Sequence, residues 1–318
     1  ALLAGNDILL LPESLANAEA KIKEYIRDNR FSEADINRKV KRVLRAKYRL
    51  GLKGFSPIAA TNIMADINTG EAAALRERLV AQALTLVRND PRLVPIQEVS
   101  EQQIAALAIG SGTHTPFQKR LQDYAAVDLL NVGSSISTEE EEKLMNRLAE
   151  EDVVIVSLHK MSRSSRNNFG LQSSTLRFLK RLEAEKDVIL VVFGNPYSLQ
   201  LLDDMEVVLE AYNEDELTQD KAAQALFGAI GLNGRLPVTA SERSHFNAGV
   251  TTSPVFRLGY STPESVGMNG DTLRYYVDGL AAAAIRERAT PGCVVLVARH
   301  GQVVLHEAYG HHTYNKRR

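Results

Sequence analysis

VVIVSLHKMSRSSRNNFGLQSSTLRFLKRLEAEKDVILVVF, residues 153–193, is the stretch whose reading decides the fold. It begins and ends on short strand-like runs, Val153–Leu158, apolar but for Ser157, and Val188–Phe193, with a helical segment over 172–185 between them. Such runs are how strands covered on both faces read, and a helix joining two of them predicts a parallel crossover. The alternation continues in both directions. Strand-like runs stand at Ala105–Ile109, Val127–Val132 and Glu206–Ala211, and helical segments at about 71–86, 116–124, 138–150, 197–203 and 218–230. Thr138 with Glu141 reads as a capping box, followed by acids where the helix dipole favours them. Strands alternating with helices predict an α/β fold: a mostly parallel sheet with helices on both faces, an α/β sandwich.

Outside this alternation the chain is sparse. NDILLL, residues 6–11, reads as a buried strand, and residues 14–29 as a helix. A second helix starts at Ser32, whose capping box closes on Asp35; Ile36, Val40, Val43 and Leu44 form its apolar face and Gly51 its stop. One strand and two helices cannot close a core, because a buried strand needs neighbours on both edges. Residues 241–262 lose periodicity and read as a linker. A helix capped by Asp271 or Thr272 then runs to about Arg288, and two apolar runs about His300-Gly301 read as a β-hairpin. A helix and one hairpin hold too little core for a domain. The chain is therefore expected to be a piece of a longer protein, and only its middle to be a complete unit.

Composition excludes several classes. The 318 residues suffice for about two domains of ~150 residues. Hydrophobic content of 44% and charged content of 24% are globular values. A net charge of −1, from 38 basic and 39 acidic residues, argues against a nucleic-acid partner. No apolar run approaches the ~18 residues of a membrane span. The single cysteine, Cys293, cannot form an internal disulfide and is expected to be buried beside Val294 and Val295.

Several motifs then converge on a resemblance. AGNDILL (residues 4–10) precedes I-N-x-x-V-x-R-V-L-x-x-K-Y-x-x-G-L (36–52); ALTLVRNDPRLVPI (83–96), FGNPYSL (193–199) and GLNGRLPVT (231–239) follow. In this order they resemble family 3 glycoside hydrolases, G-N-P-Y in particular the β-N-acetylhexosaminidase branch. TPGCVVLVARHGQVVLHEAYG (290–310) resembles instead the opening helix and hairpin of serine β-lactamase-like hydrolases. The resemblance implies the following division: residues 1–55, a partial TIM-type barrel βα unit; 56–70, a linker; 71–243, the family's α/β sandwich C-terminal domain; 244–265, a linker; 266–318, the partial start of a β-lactamase-like domain. It implies a retaining parent enzyme acting on terminal N-acetylglucosamine-containing glycans. That parent would be periplasmic, cell-envelope or secreted, and this part of it would touch the upstream barrel and the downstream β-lactamase-like domain. A β-glucosidase-type parent and a glycan-binding or structural module remain the alternatives.

The same resemblance places the nucleophile, and in the hexosaminidase branch the acid/base pair, on barrel segments that precede this chain. In the β-glucosidase branch the acid is a Glu on a second-domain loop. The corresponding stretch here, SLHKMSRSSRNNFGL (157–171), has no carboxylate. No catalytic residue, metal site or cofactor is expected in the chain, and carbohydrate substrate would be met through the barrel. Four residues are candidates for substrate contact. Asp7 is either a cleft group near the barrel's catalytic end or a carboxylate satisfied by backbone or a nearby Arg. Lys160, Arg163 and Arg166 lie on a loop that either reaches a sugar or anionic glycan or is simply solvated. In open α/β sheets ligands lie at the strands' carboxyl ends, where this loop is expected. Ser157 and Lys160 satisfy S-x-x-K, but residues three apart on a strand point to opposite faces, which excludes that chemistry. Gly110-Ser111-Gly112 lacks the third glycine of a dinucleotide fingerprint and reads as a turn. His300, His306, His311 and His312 read as surface residues.

Overall fold

The computed structural model describes residues 1–314, which fall into two compact units, residues 1–64 and the residues from 65 onward. The first unit holds α1 (Leu15–Arg27) and α2 (Glu33–Arg49). The Ser32 hydroxyl accepts from the Asp35 amide and the Asp35 carboxylate accepts from the Ser32 amide, so the reciprocal cap read in the sequence is formed. Gly51 follows at φ +77, the left-handed stop. The strand expected over residues 6–11 is not formed. Ile8, Leu10 and Leu11 are 64%, 87% and 89% exposed, and the segment carries no regular structure. No strand of the first unit offers a ladder to it, so its apolar run alone cannot hold the β conformation. Of the strand and two helices expected there, the helices are formed.

A short α3 (Ile63–Ile67) and then α4 (Gly70–Ala83) lead into the second unit's sheet. Its strands are β1 (Thr85–Asn89), β2 (Ile104–Ile109), β3 (Val127–Val132), β4 (Val153–Leu158), β5 (Asp187–Val192) and β6 (Val207–Glu210). They lie in the order β1-β6-β5-β4-β2-β3, parallel except for β1 against β6. Between them run α5 (Pro116–Gln122), α6 (Thr138–Arg147), α7 (Ser173–Glu185) and, after β6, α8 (Glu216–Leu226). One face packs Val154, Val156 and Leu190 under Leu144 of α6 and Phe178 of α7. The other packs Ile155, Ile189 and Val191 under Phe117 of α5 and Ala222 and Leu226 of α8. Helices thus cover both faces, and the α/β sandwich is the fold.

Local departures from the sequence reading have local causes. The helix expected over 71–86 stops at Ala83, and Thr85–Asn89 form β1. The run from Val80 to Val87 suits either period, and the exposed edge of β6 decides for a strand. The α6 cap is Ser137, which accepts from Glu140, one residue before the Thr138–Glu141 pairing expected. The segment over 197–203 is a 3-10 turn, Pro196–Leu201. Asn195 caps it and Pro196 starts it, which gives the G-N-P-Y sequence a structural reason.

Residues 241–258 carry no regular structure, yet they are tightly held. Arg257 donates to the carbonyls of Ile96, Gln97 and Phe227. Beyond them lie β7 (Gly259–Tyr260), α9 (Gly270–Arg286), β8 (Gly292–Arg299) and β9 (Gln302–Gly310). Lys221 and Gln224 of α8 both donate to the Tyr260 carbonyl, and buried Glu77 of α4 accepts from the Thr262 amide. The α9 cap is Asn269, accepting from Thr272, rather than Asp271 or Thr272. The hairpin turns at His300 and Gly301, both with positive φ, the conformation that two-residue hairpins require. Cys293 is half-buried rather than buried, because β8 is an edge strand of the small sheet β7-β9-β8.

Glu210 of β6 is fully buried; one carboxylate oxygen accepts from the Tyr212 amide and the other has no hydrogen-bond partner among the described residues. Burial, opposed by that amide, pushes its carboxyl well above the usual range. The folded state therefore keeps a proton that the unfolded chain releases, and stability falls as pH rises above the unfolded carboxyl range. Glu210→Gln removes this pH dependence. In thermal melts from pH 4 to 8, wild type is expected to lose stability relative to the variant as pH rises; parallel curves would refute it.

Candidate functional site

The sheet reverses its strand order between β2 and β4. The connection from β2 leads outward to β3, and that from β4 leads the other way to β5. A reversal of this kind opens a crevice at the strands' carboxyl ends, where open α/β sheets hold ligands. Here the crevice is closed. The His159 amide donates to Ile109, and an added Cβ on Gly110 would lie 2.4 Å from the His159 carbonyl oxygen. Gly110, at φ +91, is needed for that close backbone approach, which accounts for the first glycine of the Gly110-Ser111-Gly112 turn. The cavity left between the two strand ends measures about 20 Å³, the scale of one water sphere.

What projects from the crevice is the loop after β4. Lys160, Arg163 and Arg166 all lie on it and are exposed. The loop has internal order: Ser162 donates to the Phe169 carbonyl, Phe169 to that of Ser164, and Phe169 is buried beneath. Asn195, after β5, donates to the Arg163 carbonyl. Lys160, Asn168 and Phe169 adopt left-handed φ of 51°, 50° and 56°. Non-glycine residues occupy that region only where their surroundings impose it.

Two residues unremarked in the sequence hold the base of this loop. His159 shares a face with Ser157, two residues back. Its side chain is fully enclosed and stacks on Phe193 at 5.1 Å. Nε2 lies 2.9 Å from the Ser157 hydroxyl, and Nδ1 lies 3.2 Å from Glu214 Oε1. The second oxygen of Glu214 accepts from the Lys160 amide at 2.7 Å. Burial raises the Glu214 carboxyl, but the His159 ring and the Lys160 amide outweigh it and hold the group below the usual carboxylate range. Ser157 is 1% exposed, so the Ser–His–Glu order does not present a nucleophile to solvent. The spacing Ser157-x-His159 was the available signal; Glu214 lies 55 positions on, and only the fold brings it near.

The remaining candidates lie elsewhere. Asp7 belongs to the first unit, where Arg42 stands 3.1 Å and Lys39 3.8 Å from its carboxylate. The four tail histidines are exposed, and no group of three metal-ligating side chains occurs among the described residues. No helix among them is long and apolar enough to cross a membrane. A groove of about 780 Å³ runs between α4, α5, α8 and β9. Three of its arginines are engaged in ion pairs, Arg76 with Asp215, Arg120 with Asp220 and Arg274 with Glu307.

Residues 17–280 match the glycosyl hydrolase family 3 C-terminal domain. A Formosa agariphila protein named "Putative beta-xylosidase" is 21% identical over 265 residues, which cover 74% of this chain and 34% of that protein. The chain thus spans about a third of the length of this curated relative. Among solved structures, the beta-glucoside phosphorylase BglX bound to 2FGlc is similar at a TM-score of 0.51 and 16% identity, over 75% of this chain and 44% of that one. A glycoside hydrolase family 3 beta-N-acetylglucosaminidase from Paenibacillus sp. str. FPU-7 is similar at a TM-score of 0.45 and 18% identity, over 69% of this chain and 42% of that one.

Proposed function

Because this chain belongs to the glycosyl hydrolase family 3 C-terminal domain family, we propose that it is the non-catalytic second domain of a retaining β-N-acetylhexosaminidase-type glycosidase. The observation that carries the reading is the loop after β4. It is the second-domain segment whose counterpart carries the acid in β-glucosidase-type members, and residues 160–170 contain no carboxylate. The carboxylate nearest its base, Glu214, is engaged by His159 and held ionised. A general acid needs the opposite, a proton retained near the working pH. Both catalytic groups would then come from an upstream barrel, against which this loop sets Lys160, Arg163 and Arg166 toward the bound glycan. The helix α9 followed by the β8–β9 hairpin is the order that supports reading residues 266–318 as the start of a β-lactamase-like domain.

The test compares this chain with the parent protein carrying its upstream domain. Only the parent is expected to hydrolyse 4-nitrophenyl N-acetyl-β-glucosaminide. Hydrolysis of 4-nitrophenyl β-glucoside alone would assign the parent to the β-glucosidase type instead. A parent inactive on both would leave the domain as a glycan-binding or structural module. Turnover by this chain alone would overturn the non-catalytic assignment.

A further inference from the structure

We infer that His159 and Glu214 form a positioning clamp that sets the loop of residues 160–170 in the conformation in which it meets the glycan; this rests on the functional reading above. The chain of contacts begins inside the sheet and ends on the loop. Ser157 holds His159 Nε2, His159 Nδ1 holds Glu214 Oε1, and Glu214 Oε2 holds the Lys160 amide. Phe193 walls the imidazole on one face, and Phe117 meets Phe193 edge-on at 5.5 Å. Glu214 is itself anchored at the start of α8, where Gln219 donates to its carbonyl and Asp215 caps the helix. The clamp therefore ties the end of β4 to the segment between β6 and α8, across the end of β5.

Lys160 is the first residue the clamp controls, and its φ of 51° turns the chain out of the sheet. Without an acceptor for its amide, a non-glycine residue has little reason to stay in that region. The turn sets where the loop leaves the sheet, ahead of Arg163 and Arg166, while Asn195 and buried Phe169 hold it further along. Ser157 and His159 are buried and Glu214 is half-buried at the base of the loop. They act through the backbone of Lys160, which makes them positioning residues.

The first measurement uses this chain. Glu214→Ala is expected to raise amide exchange of Lys160 and the following loop by about tenfold, while amides of β4 and β5 keep their protection. Glu214→Gln, which still offers an oxygen to the Lys160 amide and an N–H to His159, should restore most of the protection. Unchanged loop exchange in Glu214→Ala overturns the clamp. The second measurement uses the parent enzyme. There Glu214→Ala should raise KM for the glycan by about fivefold, more than it lowers kcat, with Glu214→Gln near wild type. A loosened loop with unchanged KM in an active parent overturns the link to substrate. A wild-type parent inactive on every glycan instead overturns the functional reading, and the exchange result on this chain still decides the clamp.

Discussion

Replacing Gly110 by alanine is expected to destabilise the α/β domain by about 3 kcal/mol, lowering its melting temperature by roughly 10 °C at ~2–4 °C per kcal/mol for a domain of this size. Two costs add. At φ +91 an L-residue is strained, at roughly 1–2 kcal/mol. The new Cβ would also sit 2.4 Å from the His159 carbonyl oxygen and 3.2 Å from its carbon, both backbone atoms that cannot rotate away. Relief requires β2 and β4 to part at their carboxyl ends, where the His159 amide bonds to Ile109. The strain therefore reaches the clamp directly, and loop 160–170 should lose protection along with stability. Gly112, with no atom within 4 Å of an added Cβ and no positive φ, is the control, and alanine there is expected to change the melt by no more than about 2 °C. Equal effects at the two glycines would remove the steric explanation.

Phe117→Ala is expected to cost about 3–5 kcal/mol in denaturant unfolding. Phe117 is completely buried under α5, among the largest side chains of the core on that face. Its loss removes the edge contact to Phe193, and with it support for the ring that walls His159. Tyr275→Ala on α9, where the ring is 76% exposed, should fall within about 0.5 kcal/mol of wild type. Under a two-state transition the Phe117 variant should shift the midpoint with little change in slope. A cost near that of Tyr275→Ala would mean that the α5–sheet contact contributes little to the domain.

The α/β alternation is readable because it is written in local terms. Val188–Phe193 is apolar throughout and Val153–Leu158 apolar but for Ser157, and burial on both faces suits such runs. The Ser32–Asp35 cap and the His300-Gly301 turn are readable for the same reason: partners lie within a few residues, so spacing is geometry. NDILLL is the instructive failure. Its composition matches the core strands, but a strand requires hydrogen-bonding neighbours, and composition carries no information about them. The edge strand β1 shows the converse, since Thr85–Asn89 become a strand through the pairing with β6.

Of the site, residue types and place on the loop could be read: three cations after a parallel strand, with no carboxylate among them. Their support could not. His159 reads as a strand-end histidine and Glu214 as one acid in a polar connector, because the contact joining them crosses a whole strand of the sheet. Gly110 likewise reads as a turn glycine until β4 is laid beside β2. Patterns of period and cap reside in neighbouring residues, and the order of amino acids is enough to set them. Which strands lie side by side, what closes the crevice and which groups brace the loop depend on long-range pairing, and that is decided only when the chain packs.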